Sequence, residues 1–206
     1  MKILQVSHSF YPCYNAGGVV NVVYNLSKKL VENNHNVTIY STDACTQRLN
    51  VVKNSKIMEE GINIYYFRNL SNWLRINLKV ATPYYLPFII KKEIKSFDII
   101  HIHEHRTILA LITYYFAKYY DIPYIIQSHG DIPYNEKEKI KNIFDFIWGK
   151  KILKNATKCI ALTKTESDQY IKMGVPEDKI VIIPNGLDIK EFENLPIRGE
   201  FRRKYH

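Results

Sequence analysis

Short apolar runs alternate with amphipathic stretches along the whole chain. Lys2–Ser7 (KILQVS) has the pattern of a buried strand. From Gly17 to Asn33, Val19, Val22, Val23, Leu26, Leu30 and Val31 recur at helical spacing, and Asn33-Asn34 marks the stop. Val37–Thr42 and Ile62–Phe67 read as the second and third strands. Thr82–Ser96 reads as a helix with an irregular start, since Pro83 and Pro87 lack a backbone N–H. Asp98–His103 is the fourth strand, Thr107–Tyr120 a helix, and Tyr124–Ser128 the fifth strand. Lys137–Lys154 is a long helix with a basic outer face. Lys158–Leu162 is the sixth strand. Thr163–Met173 follows as a helix, its Thr163 and Glu166 at capping-box spacing. Lys179–Ile183 is the seventh strand.

Ile- and Val-rich strands that each lead into a helix pair in parallel and need cover on both sides. Right-handed crossovers then wind the sheet in two directions. The expected fold is α/β: a doubly wound, mostly parallel, seven-stranded Rossmann-like sheet with helices on both faces. Residues 1–188 form this domain. After the Asn185-Gly186 turn signal the chain turns polar, so 189–206 reads as the start of an interdomain linker. Ligands of such sheets sit beyond the carboxyl ends of the strands.

Composition narrows the partners. The chain has 206 residues, 46% apolar and 24% charged, which suits one globular domain and argues against disorder. The net charge of +9 favours anionic ligands or an anionic membrane surface. The lysines are scattered rather than blocked, so no nucleic-acid partner is expected. Cys13, Cys45 and Cys159 are odd in number and widely spaced, without a Cys-x-x-Cys pair, which fits a reducing compartment. Met1–His8 is too short and polar for a signal peptide, and no apolar run approaches the ~20 residues of a spanning helix. The expected location is cytoplasmic, at most peripheral on the inner face of a membrane.

Five segments carry candidate chemistry. The loop Ser7–Gly18 ends in Gly17-Gly18, which lets backbone approach a ligand and aims helix N–H groups at an anion; the plainer reading is a tight turn. His101, His103 and His105 alternate as zinc ligands on one strand face do, but packing and capping explain them more simply, and no metal site is expected. Ser128-His129-Gly130-Asp131 places His129 at a strand's carboxyl end, where it can exchange a proton near neutral pH. Ile183–Asp188 (IPNGLD) reads as the turn that ends the domain. Trp73–Lys95 mixes Trp73, Leu74, Tyr84, Tyr85 and Phe88 with Arg75, Lys79, Lys91, Lys92 and Lys95, the character of an interfacial segment or of a core with a solvated face.

In this order the motifs resemble glycosyltransferase family 4, the group 1 retaining transferases of the GT-B fold. The resemblance rests on MKILQVS with Gly17-Gly18, DIIHIHEHR, QSHGD, and ALTKTESDQYIKMGVPEDKIVIIPNGLDIKEF. It implies the N-terminal, acceptor-side half of a two-domain enzyme. Gly17 and Gly18 would approach the donor diphosphate. His129 would contact the transferred sugar and act as the catalytic residue. His103, Asn185 and Asp188 would line the cleft and hinge. The nucleotide-diphosphate sugar would be a co-substrate, with no cofactor, and the acceptor a glycan or lipid-linked sugar. The family's Glu-x7-Glu motif and diphosphate-neutralising Arg/Lys pair are missing here. The isolated chain is therefore expected to be inactive until a donor-binding domain or subunit completes it. Two other readings are a non-catalytic acceptor-binding module and a metal-dependent hydrolase using His101, His103, His105 and His129.

Overall fold

The structure is a computed structural model that describes residues 1–78, 80–132, 139–186 and 198–205. Its strands are β1 (Lys2–Val6), β2 (Asn36–Thr42), β3 (Lys56–Glu59), β4 (Ile62–Phe67), β5 (Ile99–His103), β6 (Tyr124–Gln127), β7 (Lys158–Ala161) and β8 (Ile180–Ile182). Its helices are α1 (Gly18–Glu32), α2 (Asn72–Leu78), α3 (Leu86–Glu93), α4 (Ile108–Tyr119), α5 (Lys139–Phe144), α6 (Lys150–Asn155), α7 (Lys164–Lys172) and α8 (Glu200–Tyr205).

The strands form one sheet in the order β3-β4-β2-β1-β5-β6-β7-β8. All neighbours are parallel except β3 and β4. The chain works outward from β1 in one direction, then returns to β5 and works outward in the other. The order therefore reverses between β1 and β5, and at such a switch point ligands sit beyond the carboxyl ends of the strands.

All seven expected strands are present, and β3 is the eighth. It pairs antiparallel along the sheet's edge through a turn at Glu60 (φ 48°) and Gly61 (φ 78°). Lys56, Met58 and Glu59 are exposed, so β3 has no apolar run to betray it. Charge on an edge strand also discourages pairing with other chains.

Each sheet face has its own core. Leu4, Val6, Ile100, Ile102, Ile126 and Ala161 pack with Ile90, Leu109, Ile152 and Tyr170 from α3, α4, α6 and α7. On the opposite face Val37, Ile39, Ile62 and Ile64 meet Val23 and Leu30 of α1. Each fully buried side chain of this size contributes about 1.5–3 kcal/mol. The second face changes character as it crosses the sheet: Ile39 pairs with Gln5, and Gln5 with His101. His103 then pairs with Gln127. An apolar row thus becomes a buried polar one at the switch point.

Three local readings differ from the sequence expectation. The segment read as helix 82–96 begins only at Leu86, with Pro87 in its first turn, and closes in a 3-10 turn at Ile94–Ser96. The long helix read over 137–154 is interrupted by a π-helical turn, Asp145–Gly149. A Cβ on Gly149 would fall on the Asp145 carboxylate, so glycine makes room for an acid that turns inward. Cys13 and Cys45 form a disulfide that ties the glycine loop to the turn after β2, against the expectation of free thiols in a reducing compartment. Cys159 is a buried thiol whose pKa burial pushes up to about 12.

Candidate functional site at the carboxyl rim

Three loops follow the strands at this switch point: β1 to α1, the turn after β5, and the turn after β6. The first is built for backbone. Gly17 adopts φ 99° and ψ −171°, a conformation that strongly favours glycine, and α1 starts at Gly18. No side chain caps the helix, and its first turn holds no acidic residue. The opening N–H groups of a helix have no intrahelical partner, and its dipole favours an anion there. A Cβ on Gly17 or Gly18 would meet no atom within 4 Å, so this backbone is approachable.

The other two loops are built from side chains. His129 follows β6 in the left-handed region, at φ 52°, and is half-buried. Its Nε2 lies 2.8 Å from Nδ1 of His103, whose Nε2 lies 2.7 Å from Oε1 of Gln5. The rings of His103 and His129 are 5.1 Å apart and within 18° of parallel. With facing nitrogens at 2.8 Å, the two rings meet edge to edge rather than face to face. His101 lies against His103 on its strand-neighbour side, ring centroids 4.0 Å apart.

Burial holds all three rings neutral. It lowers His101 to about 3, with His129 adding repulsion. It lowers His103 well below the ordinary value, with repulsion from His101 and His129, and lowers His129 although Glu104 and Glu166 pull upward.

The turn carrying His129 is fixed from several sides. Glu166 accepts hydrogen bonds from the N–H groups of Gly130 (2.8 Å) and Leu162 (2.6 Å). Thr163 caps α7 as its spacing implies, accepting from Glu166 N–H, but the Glu166 carboxylate serves the rim turn and not the cap. Tyr170 accepts from Ser128 N–H at 3.0 Å. His105 turns away from its strand partners to Ser128 Oγ, 3.1 Å, and toward Asp145, 3.5 Å. Arg106 binds both Asp145 oxygens and the carbonyls of Asp131 and Ile132. Burial raises the pKa of Asp145, but the nearby His105 and the hydrogen bonds from Arg106 outweigh it, so the group stays ionised.

His8 of the first loop lies against the Glu104 carboxylate of the second. Burial raises Glu104, and contact with His8 together with the charge of Arg75 pulls it lower overall. Arg75 of α2 reaches the same corner, its Nη2 3.2 Å from His8 Nε2 and 3.5 Å from Ser9 Oγ.

Of the residues expected at the site, His103 and His129 are in contact. Asn185 accepts from Gln127 at 3.3 Å, which places it beside the β6 end. Gly17 and Gly18 share the rim across β1. Asp188 lies outside the described residues, as does Lys79. His101, His103 and His105 do not converge, because Glu104 (φ 68°) swings the chain after β5. Among the described residues no three His, Cys, Asp or Glu side chains form a metal-ligand group.

Sequence reasoning passed over Gln5, His8, Arg75 and the Arg106–Asp145 pair. Gln5 is the one polar residue inside an apolar strand, a signal that was there to read. Asp145 sits in an aromatic run (IFDFIW) and has a similar signature. Nothing in the sequence places Arg75 beside His8, since 67 residues separate them.

A doubly wound sheet with a glycine-started helix and a held histidine on one rim has the architecture of the N-terminal half of a GT-B transferase. The chain belongs to glycosyltransferase family 4, whose sequence profile matches residues 16–191. It is 25% identical over 212 residues to a subunit of the human phosphatidylinositol N-acetylglucosaminyltransferase, covering 96% of this chain and 39% of that protein. Its fold is similar to that of Anabaena HepE, solved in complex with UDP-glucose, with TM-score 0.67 and 15% identity, covering 99% of this chain and 49% of that one. It is likewise similar to sucrose-phosphate synthase from Thermosynechococcus elongatus, with TM-score 0.65 and 15% identity, covering 100% of this chain and 52% of that one. The chain thus spans about half the length of these structural relatives, and less of the human protein.

Proposed function

We propose that this domain is the acceptor-side half of a retaining glycosyltransferase. Completed by a donor-binding domain or subunit, it would transfer a hexosyl-type sugar from a nucleotide-diphosphate donor to a glycan or lipid-linked acceptor. The observation that carries this reading is the rim itself: an uncapped, approachable helix start at Gly17-Gly18 and a neutral, held His129, both at the carboxyl ends of parallel strands.

In this reading the α1 start faces the donor diphosphate, a fitting place for anionic charge. His129 contacts the transferred sugar as the catalytic residue. The departing phosphate takes the acceptor's proton, which accords with a rim whose carboxylates, Glu104 and Glu166, are engaged with His8 and with backbone N–H groups. The nucleotide sugar is a co-substrate, and no cofactor or metal enters. Asn185 supports the hinge side of the groove.

The acceptor side carries a second feature. Trp73 and Ile76 of α2 are 64% and 55% exposed, and Phe88 is 62% exposed on the helix that carries Lys91 and Lys92. Aromatic and aliphatic groups fringed by lysine suit an anionic lipid surface, and no helix among the described residues is long and apolar enough to cross a membrane. A peripheral station on an anionic membrane surface, with a lipid-linked acceptor, follows from this reading.

The test combines the chain with a donor-binding half, in cis or in trans. Transfer is assayed from UDP-glucose and UDP-N-acetylglucosamine to acceptors presented in anionic vesicles. His129→Ala should lower kcat by about 100-fold or more, the scale of a positioned proton-exchanging or sugar-contacting group. Full activity in the alanine variant removes His129 from the mechanism. Transfer by the isolated chain would overturn the need for a second half, and acceptor binding without turnover in the completed protein would favour a binding module.

A further inference from the structure

Resting on the reading that His129 faces the sugar, we propose that Gln5 and His103 are positioning residues that fix the tautomer of His129, so that it presents a bare Nδ1 to a substrate hydroxyl.

A neutral imidazole carries one N–H, on one nitrogen or the other. Gln5 Oε1 can only accept, so His103 Nε2, 2.7 Å away, must be the nitrogen with the proton. His103 Nδ1 is then bare and can only accept. His129 Nε2 faces it at 2.8 Å and must donate. The one proton of His129 is spent there, which leaves Nδ1 as a lone-pair acceptor. Among the described residues nothing bonds that nitrogen, and it is not among the buried atoms without a partner. A hydroxyl of the donor sugar or of the acceptor is the chemical group it would take.

The surroundings make this order hard to scramble. Gln5 is 1% exposed and His103 fully buried, so water cannot readily replace either partner. His101 lies against the His103 ring without taking either of its nitrogens. Burial keeps the rings uncharged, so no second proton lifts the constraint. The relay also explains a glutamine in the middle of an apolar strand. A buried amide is costly without a partner, and this one orders two histidines.

The experiment reads the tautomers directly, on the isolated chain, with no donor or acceptor present. Long-range 1H–15N spectra at pH 7.5 should show both His103 and His129 as the Nε2–H form. Gln5→Leu should mix the tautomers of both rings. Gln5→Glu, which still accepts, should keep them. His103→Phe should release His129 alone. Amide spectra verify that each variant is folded, and where a variant is not, the wild-type spectrum still decides. A wild-type His129 protonated on Nδ1 overturns the proposal, as does a folded Gln5→Leu protein whose tautomers are unchanged.

In the completed transferase, Gln5→Leu should lower kcat about 10-fold with donor KM little changed, and Gln5→Glu should restore most of it. The two claims can fail separately. If His129→Ala abolishes transfer but the tautomers do not respond to Gln5, the relay falls and the transferase reading stands. If the tautomers follow Gln5 but His129→Ala is fully active, the reverse holds.

Discussion

Two halves of one rim reach opposite solutions. At Gly17 and Gly18 a side chain would touch nothing, no residue caps the helix, and the working surface is bare backbone. Around His129 almost every polar group is committed. Glu166, Tyr170 and Ser128 hold the turn, His105, Asp145 and Arg106 stand behind it, and His103 and Gln5 continue from the ring's edge. Backbone N–H groups at a helix start already have their direction, set by the helix. A side chain has rotamers, and a histidine has tautomers as well, so its direction must be imposed by neighbours. The difference predicts where each half is vulnerable: the glycine half to added atoms, the histidine half to removed ones.

The strongest way to break the histidine half is Asp145→Ala. It removes the buried carboxylate that the Arg106 guanidinium, 5% exposed, binds at 2.6 Å, and leaves the more exposed Asp131 carboxylate 3.7 Å away. Removing one partner of a buried pair costs about 3–5 kcal/mol. Urea unfolding should show that loss. A loss below about 1 kcal/mol would mean that the turn is held without this network, and the contrast between the halves would weaken.

Acid sharpens the comparison next. His101 titrates near 3 in the folded protein against an ordinary 6.5, and His103 and His129 are also lowered. Below pH 6.5 the unfolded chain therefore binds protons that the native one refuses. Stability is complete above pH 6.5 and is lost as the pH falls from there toward 3. Within that window His101 steepens the fall by about 1.4 kcal/mol per pH unit, and His103 and His129 act in the same direction. Urea midpoints measured from pH 7.5 to 5 should drop, and His101→Gln should flatten the slope by one proton. Substitutions at Gly17 or Gly18 should shift the curve without changing its slope, as no titrating group is involved.

These contrasts also mark what the sequence revealed. Strands and helices that bury a continuous apolar side announced themselves, which is why β1, β2 and β4 to β8 were legible. β3 stayed hidden because its stability comes from pairing along an edge, with little of it buried. The rim position of His129 followed from topology, since every parallel strand ends on the same side. Its partners did not, because hydrogen-bond networks join residues such as Gln5 and His103, 98 apart in sequence. Periodicity reports which side is buried, not who meets whom there. The π turn was similarly invisible: Asp145 enters the interior only because Arg106, 39 residues before it in the chain, is waiting.

The finest test separates two adjacent glycines. Gly17 needs its glycine for conformation: φ 99° with ψ −171° admits other residues at a cost of about 1–3 kcal/mol. Gly17→Ala should thus destabilise the fold measurably, whatever it does to ligands. Gly18 already lies in the helix, where alanine is the better former and would gain a few tenths of a kcal/mol by restricting the unfolded chain. Its open surroundings mean that the new methyl clashes with no protein atom. Gly18→Ala should therefore leave unfolding unchanged or slightly strengthened. The methyl would instead project into space that a diphosphate is proposed to occupy, so titration with UDP in the completed protein should weaken. If UDP binding survives Gly18→Ala, that position is merely a helix start, and the anion must sit elsewhere on the rim.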